Sequence, residues 1–87
     1  MRLKAEFTTE PFDLDEVPAH AAVAREVIES AGLDTVDVGP FGNTVEGSAD
    51  AVLSALDTLL RTTLEAGATR VSLQVNVIGD REGTGDR

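Results

Sequence analysis

Apolar and polar residues alternate strictly near the start of the chain, in the segment RLKAEFTT. Leu3, Ala5 and Phe7 occupy one side of this pattern, and charged or hydroxyl-bearing residues occupy the other. A period of two is typical of a β-strand with one buried face. Similar alternation returns in three later segments, which are TVDV, NTVEG and RVSLQVNVI. The pattern therefore predicts four short, half-buried strands.

The first two strands are separated by a segment whose apolar residues follow helical spacing. This spacing predicts a helix from about residue 16 to 31. We expect Asp13 or Asp15 to cap its start, with Pro18 tolerated in the first turn. Gly32 is expected to end it in a left-handed conformation. The apolar positions are Val23, Ala24, Val27, Ile28 and Ala31.

A second helix is predicted between the third and fourth strands. Ser48 is a favourable N-cap, and Gly67 marks the end. Asp57 and Arg61 form an acid–base pair at the i,i+4 spacing, in the favoured order. The apolar face consists of Val52, Leu53, Leu56, Leu59, Leu60 and Leu64.

The two halves of the chain resemble each other, since SAGLDTVDV and EAGATRVSL align without a gap. Each half reads strand–helix–strand, and the order βαββαβ is that of the ferredoxin-like fold. Right-handed crossovers place both helices on one face of a four-stranded antiparallel sheet. We therefore predict an α+β, ferredoxin-like fold. Residues 1–78 are expected to form one domain, and residues 79–87 a flexible polar tail.

Composition narrows the range of functions. The chain has 87 residues, no cysteine, one histidine and a formal charge of −9. Disulfides and thiolate metal sites are excluded, and a transition-metal site or other cofactor is not expected. The negative charge disfavours nucleic-acid backbones, and the sheet lacks the stacking aromatics of RNA-binding domains. No nucleic-acid partner is expected.

Membrane association is not expected from the sequence. No apolar run approaches the ~20 residues of a membrane-spanning helix. The segment MRLKAEF lacks the apolar centre of a signal peptide. A cytoplasmic location is the default expectation.

Covering one face of the sheet leaves the other face open. The residues expected to face the helices are Leu3, Ala5, Phe7, Val36, Val38, Val45, Val71, Leu73, Val75 and Val77. The open face would carry Lys4, Glu6, Thr8, Asp37, Thr44, Glu46, Ser72, Gln74 and Asn76.

The polar residues of the open face can be interpreted in two ways. One interpretation is that the face is simply solvated. However, asparagine is depleted in strands, and an amide pair beside a carboxylate suits a planar heterocycle with donors and acceptors. The candidate ligand-binding residues are Thr8, Asn43, Thr44, Glu46, Gln74 and Asn76.

Other polar residues have simpler interpretations. His20 lies in the first turn of the first helix, where a boundary residue is favoured over a catalytic base. The glycines of GPFG fit a hairpin turn, because no phosphate-loop lysine follows them. The acidic cluster before the first helix fits helix-capping charge, since it lacks the spacing of a calcium loop.

The segment from VDVGPFGNTVEG to EAGATRVSLQVNV resembles the small thiamine-binding-protein family. The matching features are Gly39-Pro40, the strand end at residues 43–47, and the Ala-Gly-x-x-Arg-Val segment at residues 66–71. The strand AEFTTEPF, with its exit at Pro11, also matches. The resemblance covers nearly the whole chain except the tail.

This resemblance implies a ferredoxin-like dimer or dimer of dimers that binds thiamine or its hydroxymethylpyrimidine part without catalysis. It also implies a ligand pocket next to the subunit contacts. The chain departs from the family pattern in having no Trp or Tyr. Any stacking on a ligand ring would come from Phe7, Phe12, Phe41 or a neighbouring subunit.

Three functions remain in competition. The first is non-catalytic binding of thiamine or a related aminopyrimidine by a homodimer or homotetramer. The second is a regulatory or oligomerisation module with no such ligand. The third is a small hydrolase such as an acylphosphatase, which needs an arginine-bearing anion loop after the first strand. The corresponding segment here, EPFDLDE, is acidic and contains no arginine.

Overall fold

The computed structural model describes residues 1–11, 15–39 and 42–79. The predicted order of elements is confirmed. These elements are β1 (Arg2–Glu10), α1 (Ala19–Glu29), β2 (Thr35–Val38), β3 (Asn43–Ser48), α2 (Ala49–Glu65) and β4 (Arg70–Gly79). The expected tail lies outside the described residues, except for Gly79, which ends β4. No helix in the described ranges is long and apolar enough to span a membrane.

The four strands form one antiparallel sheet in the order β2-β3-β1-β4. β1 is therefore a central strand, and β2 and β4 are the edges. β2 and β3 form the expected hairpin, in which Gly39 N–H donates to the Gly42 carbonyl at 2.9 Å. Together with the two helices, this order confirms the α+β ferredoxin-like fold.

The core lies between the two helices and the central strands. Val45, Val52 and Leu59 are fully buried there. Burying a side chain of this size contributes roughly 1.5–3 kcal/mol to the free energy of folding. Among the described residues, the main buried apolar cluster is Leu3, Ala5, Phe7, Ala24, Ile28, Val45, Val52, Leu56 and Leu59.

The start of α1 differs from the prediction. The N-cap is Pro18, whose carbonyl accepts hydrogen bonds from the backbone N–H groups of Ala21 and Ala22 at 3.0 and 3.2 Å. Pro18 is itself extended, so the helix begins only after it. Asp15 is too far upstream to cap this first turn, and Asp13 lies outside the described residues. The expected carboxylate cap was therefore wrong for Asp15.

α1 ends at Glu29, two residues before the predicted end, and the end of α2 at Glu65 agrees with the prediction. Gly32 and Gly67 follow the helices with φ angles of +70° and +111°. These are backbone conformations that favour glycine. The hydroxyl of Ser48 accepts a hydrogen bond from Ala51 N–H at 3.3 Å and caps α2. Asp57 and Arg61 are paired at 3.2 Å.

The helices do not cover β4 as predicted. Leu73, Val75 and Val77 do lie opposite buried residues of β1, but 38%, 41% and 62% of their respective surfaces remain exposed. The reason is that α2 packs over β1 and β3. We call these three residues the β4 stripe.

Part of the predicted apolar face of α2 is not buried against the sheet. Leu53 and Leu64 were expected on the buried face, yet 52% and 51% of their surfaces are exposed. The sequence pattern identified the correct helix but overestimated how much of it the chain itself buries.

Candidate functional site

Two rows of side chains cross the open face of the sheet. Residues directly opposite each other in neighbouring strands project to the same side. The first row contains Asp37, Thr44, Glu6 and Gln74. The second row contains Thr35, Glu46, Lys4 and Asn76. The rows lie about 6.8 Å apart, because each residue of an antiparallel strand advances ~3.4 Å.

A shallow groove of about 450 Å³ lies along the first row. It also reaches the neighbouring cross-strand pair on the open face, Thr8 and Ser72. This volume is within the ~300–1,000 Å³ common for small-molecule sites. The groove crosses the central strand β1 and is bounded by β3 and by the edge strand β4. Its polar lining residues are Glu6, Thr8, Asn43, Thr44, Ser72 and Gln74.

The structure brings together most of the residues selected from the sequence. Thr8, Thr44 and Gln74 line the groove. Glu46 and Asn76 lie outside it, in the second row, where they flank Lys4. The two rows are joined by the predicted amide pair, because Gln74 Nε2 donates to Asn76 Oδ1 at 3.3 Å.

Asn43 reaches the groove differently from its neighbours. It pairs with Phe7 across the sheet, so it occupies the register of the helix-facing residues rather than that of Thr44. Its Nδ2 lies 3.5 Å from the backbone carbonyl of Phe7, to which it donates. Asn43 therefore borders the groove from the start of β3 and helps to hold β3 against β1.

Two charged residues of β1 were placed on the open face but were not selected as site residues. Glu6 lines the groove, and Lys4 lies at the centre of the second row. Lys4 Nζ and Glu6 Oε2 are 3.6 Å apart. Glu6 and Lys4 could have been selected from the sequence if β1 had been recognised as a central strand. Outward residues of a strand with neighbours on both sides necessarily lie in the middle of the face.

His20 is a structural residue on the other side of the sheet. It is buried, with Nδ1 2.8 Å from Thr9 Oγ1 and Nε2 3.0 Å from the Pro11 carbonyl. A carbonyl only accepts hydrogen bonds, so Nε2 carries a hydrogen, and in the neutral imidazole Nδ1 then accepts from the Thr9 hydroxyl. His20 is thus more buried than the predicted boundary residue, and it joins α1 to the end of β1.

The ring of Phe7 is not available for stacking on a ligand. Phe7 belongs to the core, with 2% of its surface exposed. Phe12 and Phe41 lie outside the described residues. Within the described ranges, no group of three or more His, Cys, Asp or Glu residues is arranged to hold a metal ion.

A comparison with protein families identifies the family of the chain. Residues 5–87 match the family model described as thiamine-binding protein. The chain belongs to this family. The resemblance found in the sequence is thereby confirmed. No curated protein matches the chain.

Solved structures support the same assignment. A domain of unknown function, DUF77, from Bacillus cereus is 25% identical, with a TM-score of 0.68, and the match covers 99% of this chain and 82% of that one. A Thermotoga maritima structure, described as that of a candidate thiamine biosynthesis/salvage protein, is 26% identical with a TM-score of 0.64, covering 87% and 81%. A hypothetical protein from Methanocaldococcus jannascii is 28% identical with a TM-score of 0.69, covering 95% and 87%. The fold of this thiamine-binding-family chain is thus shared with proteins from three organisms.

Proposed function

We propose that this protein binds thiamine, or its hydroxymethylpyrimidine part, on the open face of the sheet and does not transform it. The observation that carries the proposal is the polar groove beside a second row of hydrogen-bonding side chains, in a chain of the thiamine-binding family. The similar Thermotoga maritima protein, which is described in terms of thiamine biosynthesis or salvage, supports the same chemical class.

The second row suits the aminopyrimidine ring. Such a ring offers an exocyclic amine as donor and ring nitrogens as acceptors. The carboxylate of Glu46 accepts from the amine, and the amide of Asn76 can donate to a ring nitrogen. Because Lys4 stands between these two residues, the ring would lie over its aliphatic stem.

The groove suits the other end of thiamine. The thiazolium ring carries a positive charge and a hydroxyethyl arm. Glu6 supplies a negative charge in the groove, and Thr8 and Ser72 supply hydroxyl groups. The spacing of about 6.8 Å between the rows, from a rise of ~3.4 Å per residue, is one that two rings joined by a single carbon can bridge.

We further propose that the binding unit is a homodimer or homotetramer. The β4 stripe is apolar, partly exposed and next to a sheet edge. Its side chains lie on the helical side of β4, whereas the alternate residues Ser72 and Gln74 of the same strand line the groove on the open face. A second copy seated on β4 would therefore lie beside the ligand, in agreement with a pocket next to subunit contacts.

A regulatory or oligomerisation module without a ligand is the second candidate. The observation that favours it is the same exposed β4 stripe, which needs no small molecule to explain it. The two functions differ in what they predict for the open face. A ligand-free module predicts that substitutions in the two rows change no binding equilibrium with thiamine.

Titration calorimetry with thiamine and with hydroxymethylpyrimidine tests the proposal. We expect saturable binding of both, with the same number of sites per chain. Pyridoxine, a substituted pyridine without the exocyclic amine, is the control ligand and should bind more weakly. Absence of binding by both thiamine and hydroxymethylpyrimidine at millimolar concentration would exclude the proposed function and favour the module.

A further inference from the structure

We propose that Glu6 makes the groove selective for unphosphorylated thiamine and against its phosphate esters. This inference rests on the proposed function and adds a ligand class to it. The phosphate esters carry their phosphate on the hydroxyethyl arm. If the thiazolium end occupies the groove, that phosphate falls next to the Glu6 carboxylate.

The described lining of the groove carries a negative charge. Among its described lining residues, Glu6 is the only one with an ionisable side chain, and the other polar residues are neutral hydroxyls and amides. Asp37 adds a second carboxylate two strands away in the same row. The two carboxylates favour a positive ring over a phosphate, because like charges brought together suppress binding of the wrong partner. The single positive charge of Lys4, 3.6 Å from Glu6, offsets only part of their negative charge.

The cations of the open face lie close to carboxylates. Phosphate sites in proteins usually rely on arginine or lysine. Here Arg2 is paired with Asp34 at 2.6 Å, and Arg70 lies 3.9 Å from Glu10. Lys4 lies 3.6 Å from Glu6 itself. Each of these cations is thus already within ion-pair distance of a carboxylate that a phosphate would have to displace.

The two parts of thiamine are expected to contact different rows, so their binding can be tested separately. Hydroxymethylpyrimidine lacks the thiazolium ring, so Glu6 reaches its site only indirectly, through the Lys4 side chain 3.6 Å away. Thiamine uses both rows. Glu6→Gln should therefore separate the two ligands, since it removes the charge while keeping the size of the side chain.

The test is calorimetry with thiamine, thiamine monophosphate, thiamine diphosphate and hydroxymethylpyrimidine. For the wild type, we expect thiamine to bind at least ~10-fold more tightly than the diphosphate, with the monophosphate between them. Glu6→Gln should weaken thiamine binding by up to about 5-fold, as expected for loss of an ion pair on an exposed face, and should reduce the preference for thiamine over the diphosphate. The same variant should change the affinity for hydroxymethylpyrimidine less than it changes the affinity for thiamine, because Glu6 acts on the second row only through the partly exposed Lys4–Glu6 pair.

Glu65→Gln is the matched control. Glu65 is exposed at the end of α2, in the helical layer, and its substitution changes the net charge by the same amount. It should leave all four affinities within about 2-fold of wild type, because exposed charges farther apart than ~8–10 Å are screened at ordinary salt.

The outcomes distinguish this inference from the proposed function. If thiamine binds but the diphosphate binds equally well, the selectivity is wrong and the proposed function stands. The selectivity is also wrong if Glu6→Gln leaves the ratio of the two affinities unchanged. If none of the four ligands binds the wild type, the proposed function fails and this inference fails with it.

Discussion

Leu73 lies directly opposite Phe7 in the sheet, with its side chain on the same face, yet the two residues have different surroundings. Phe7 is 2% exposed, and Leu73 is 38% exposed. α2 packs mainly over β1 and β3. Apolar area is therefore left partly exposed beside the backbone edge of β4. An edge strand without charged residues over most of its length is a template for pairing with another chain.

We expect a second copy of the chain to cover this edge. The segment of β4 from Val71 to Gly79 carries no charged residue, although the whole chain has a net charge of −9. Antiparallel pairing of β4 with its own copy is self-complementary, as a two-fold interface requires. Light scattering at micromolar concentration should show a dimer or tetramer, and Val75→Lys should shift it towards monomer.

Ala22→Lys is the control for that experiment. Ala22 is exposed on α1, whose main contacts with the sheet are to β1 and β2. The substitution introduces the same charge at a site that the interface does not use, so the oligomer should persist. A wild-type protein that is only monomeric would contradict the prediction. So would a Val75→Lys variant with unchanged mass.

Leu56 tests the packing of α2. It is buried in the core, at 5% exposure, between the helix and the central strands. Leu56→Ala should lower the free energy of unfolding by about 2–5 kcal/mol, as truncations of buried leucines do. Leu53→Ala on the exposed side of the same helix should cost about 1 kcal/mol or less. Chemical denaturation of both variants measures the difference, and equal losses would show that the buried face of α2 is misplaced.

The link between Thr9 and His20 tests how α1 is held to the sheet. Thr9→Val removes the hydroxyl that donates to His20 Nδ1. A double-mutant cycle with His20→Ala should give a coupling energy of about 0.5–1.5 kcal/mol, the usual contribution of one hydrogen bond. Thr9→Ser keeps the hydroxyl, so a cycle with this substitution in place of Thr9→Val should give a coupling energy near zero. A coupling energy near zero in the Thr9→Val cycle would mean that the bond contributes nothing to stability.

The fold could be predicted from the sequence because its strands and helices have different apolar periods. Strict alternation identified β1, and helical spacing followed by Gly32 and Gly67 identified both helices and their ends. The cap of α1 could not be predicted in the same way. Asp15 and Pro18 each favour a helix start, and only the backbone shows that the helix begins after Pro18.

The candidate site was only partly predictable, because it depends on strand order and register. Alternation placed Thr44, Gln74 and Glu6 on the open face, but only the pairing shows that Glu6 lies between the other two. Asn43 and Thr44 were both selected as site residues, whereas neighbouring residues of a strand face opposite sides. The exposure of β4 could not be predicted, since it depends on where α2 packs.

The last prediction separates the second row from the groove. Glu46 projects from β3 on the open face, opposite Lys4 and away from the core. Glu46→Gln should therefore leave the fold intact but weaken binding of thiamine and of hydroxymethylpyrimidine alike. Loss of a hydrogen bond to a charged group costs ~1.5–3 kcal/mol, which corresponds to roughly 10- to 150-fold in affinity. Asn76→Ala removes a neutral bond and should cost less, about 0.5–1.5 kcal/mol. Calorimetry on both variants, with thermal unfolding to confirm an intact fold, checks these values. Wild-type affinity for both ligands in both variants would show that the second row does not hold the pyrimidine.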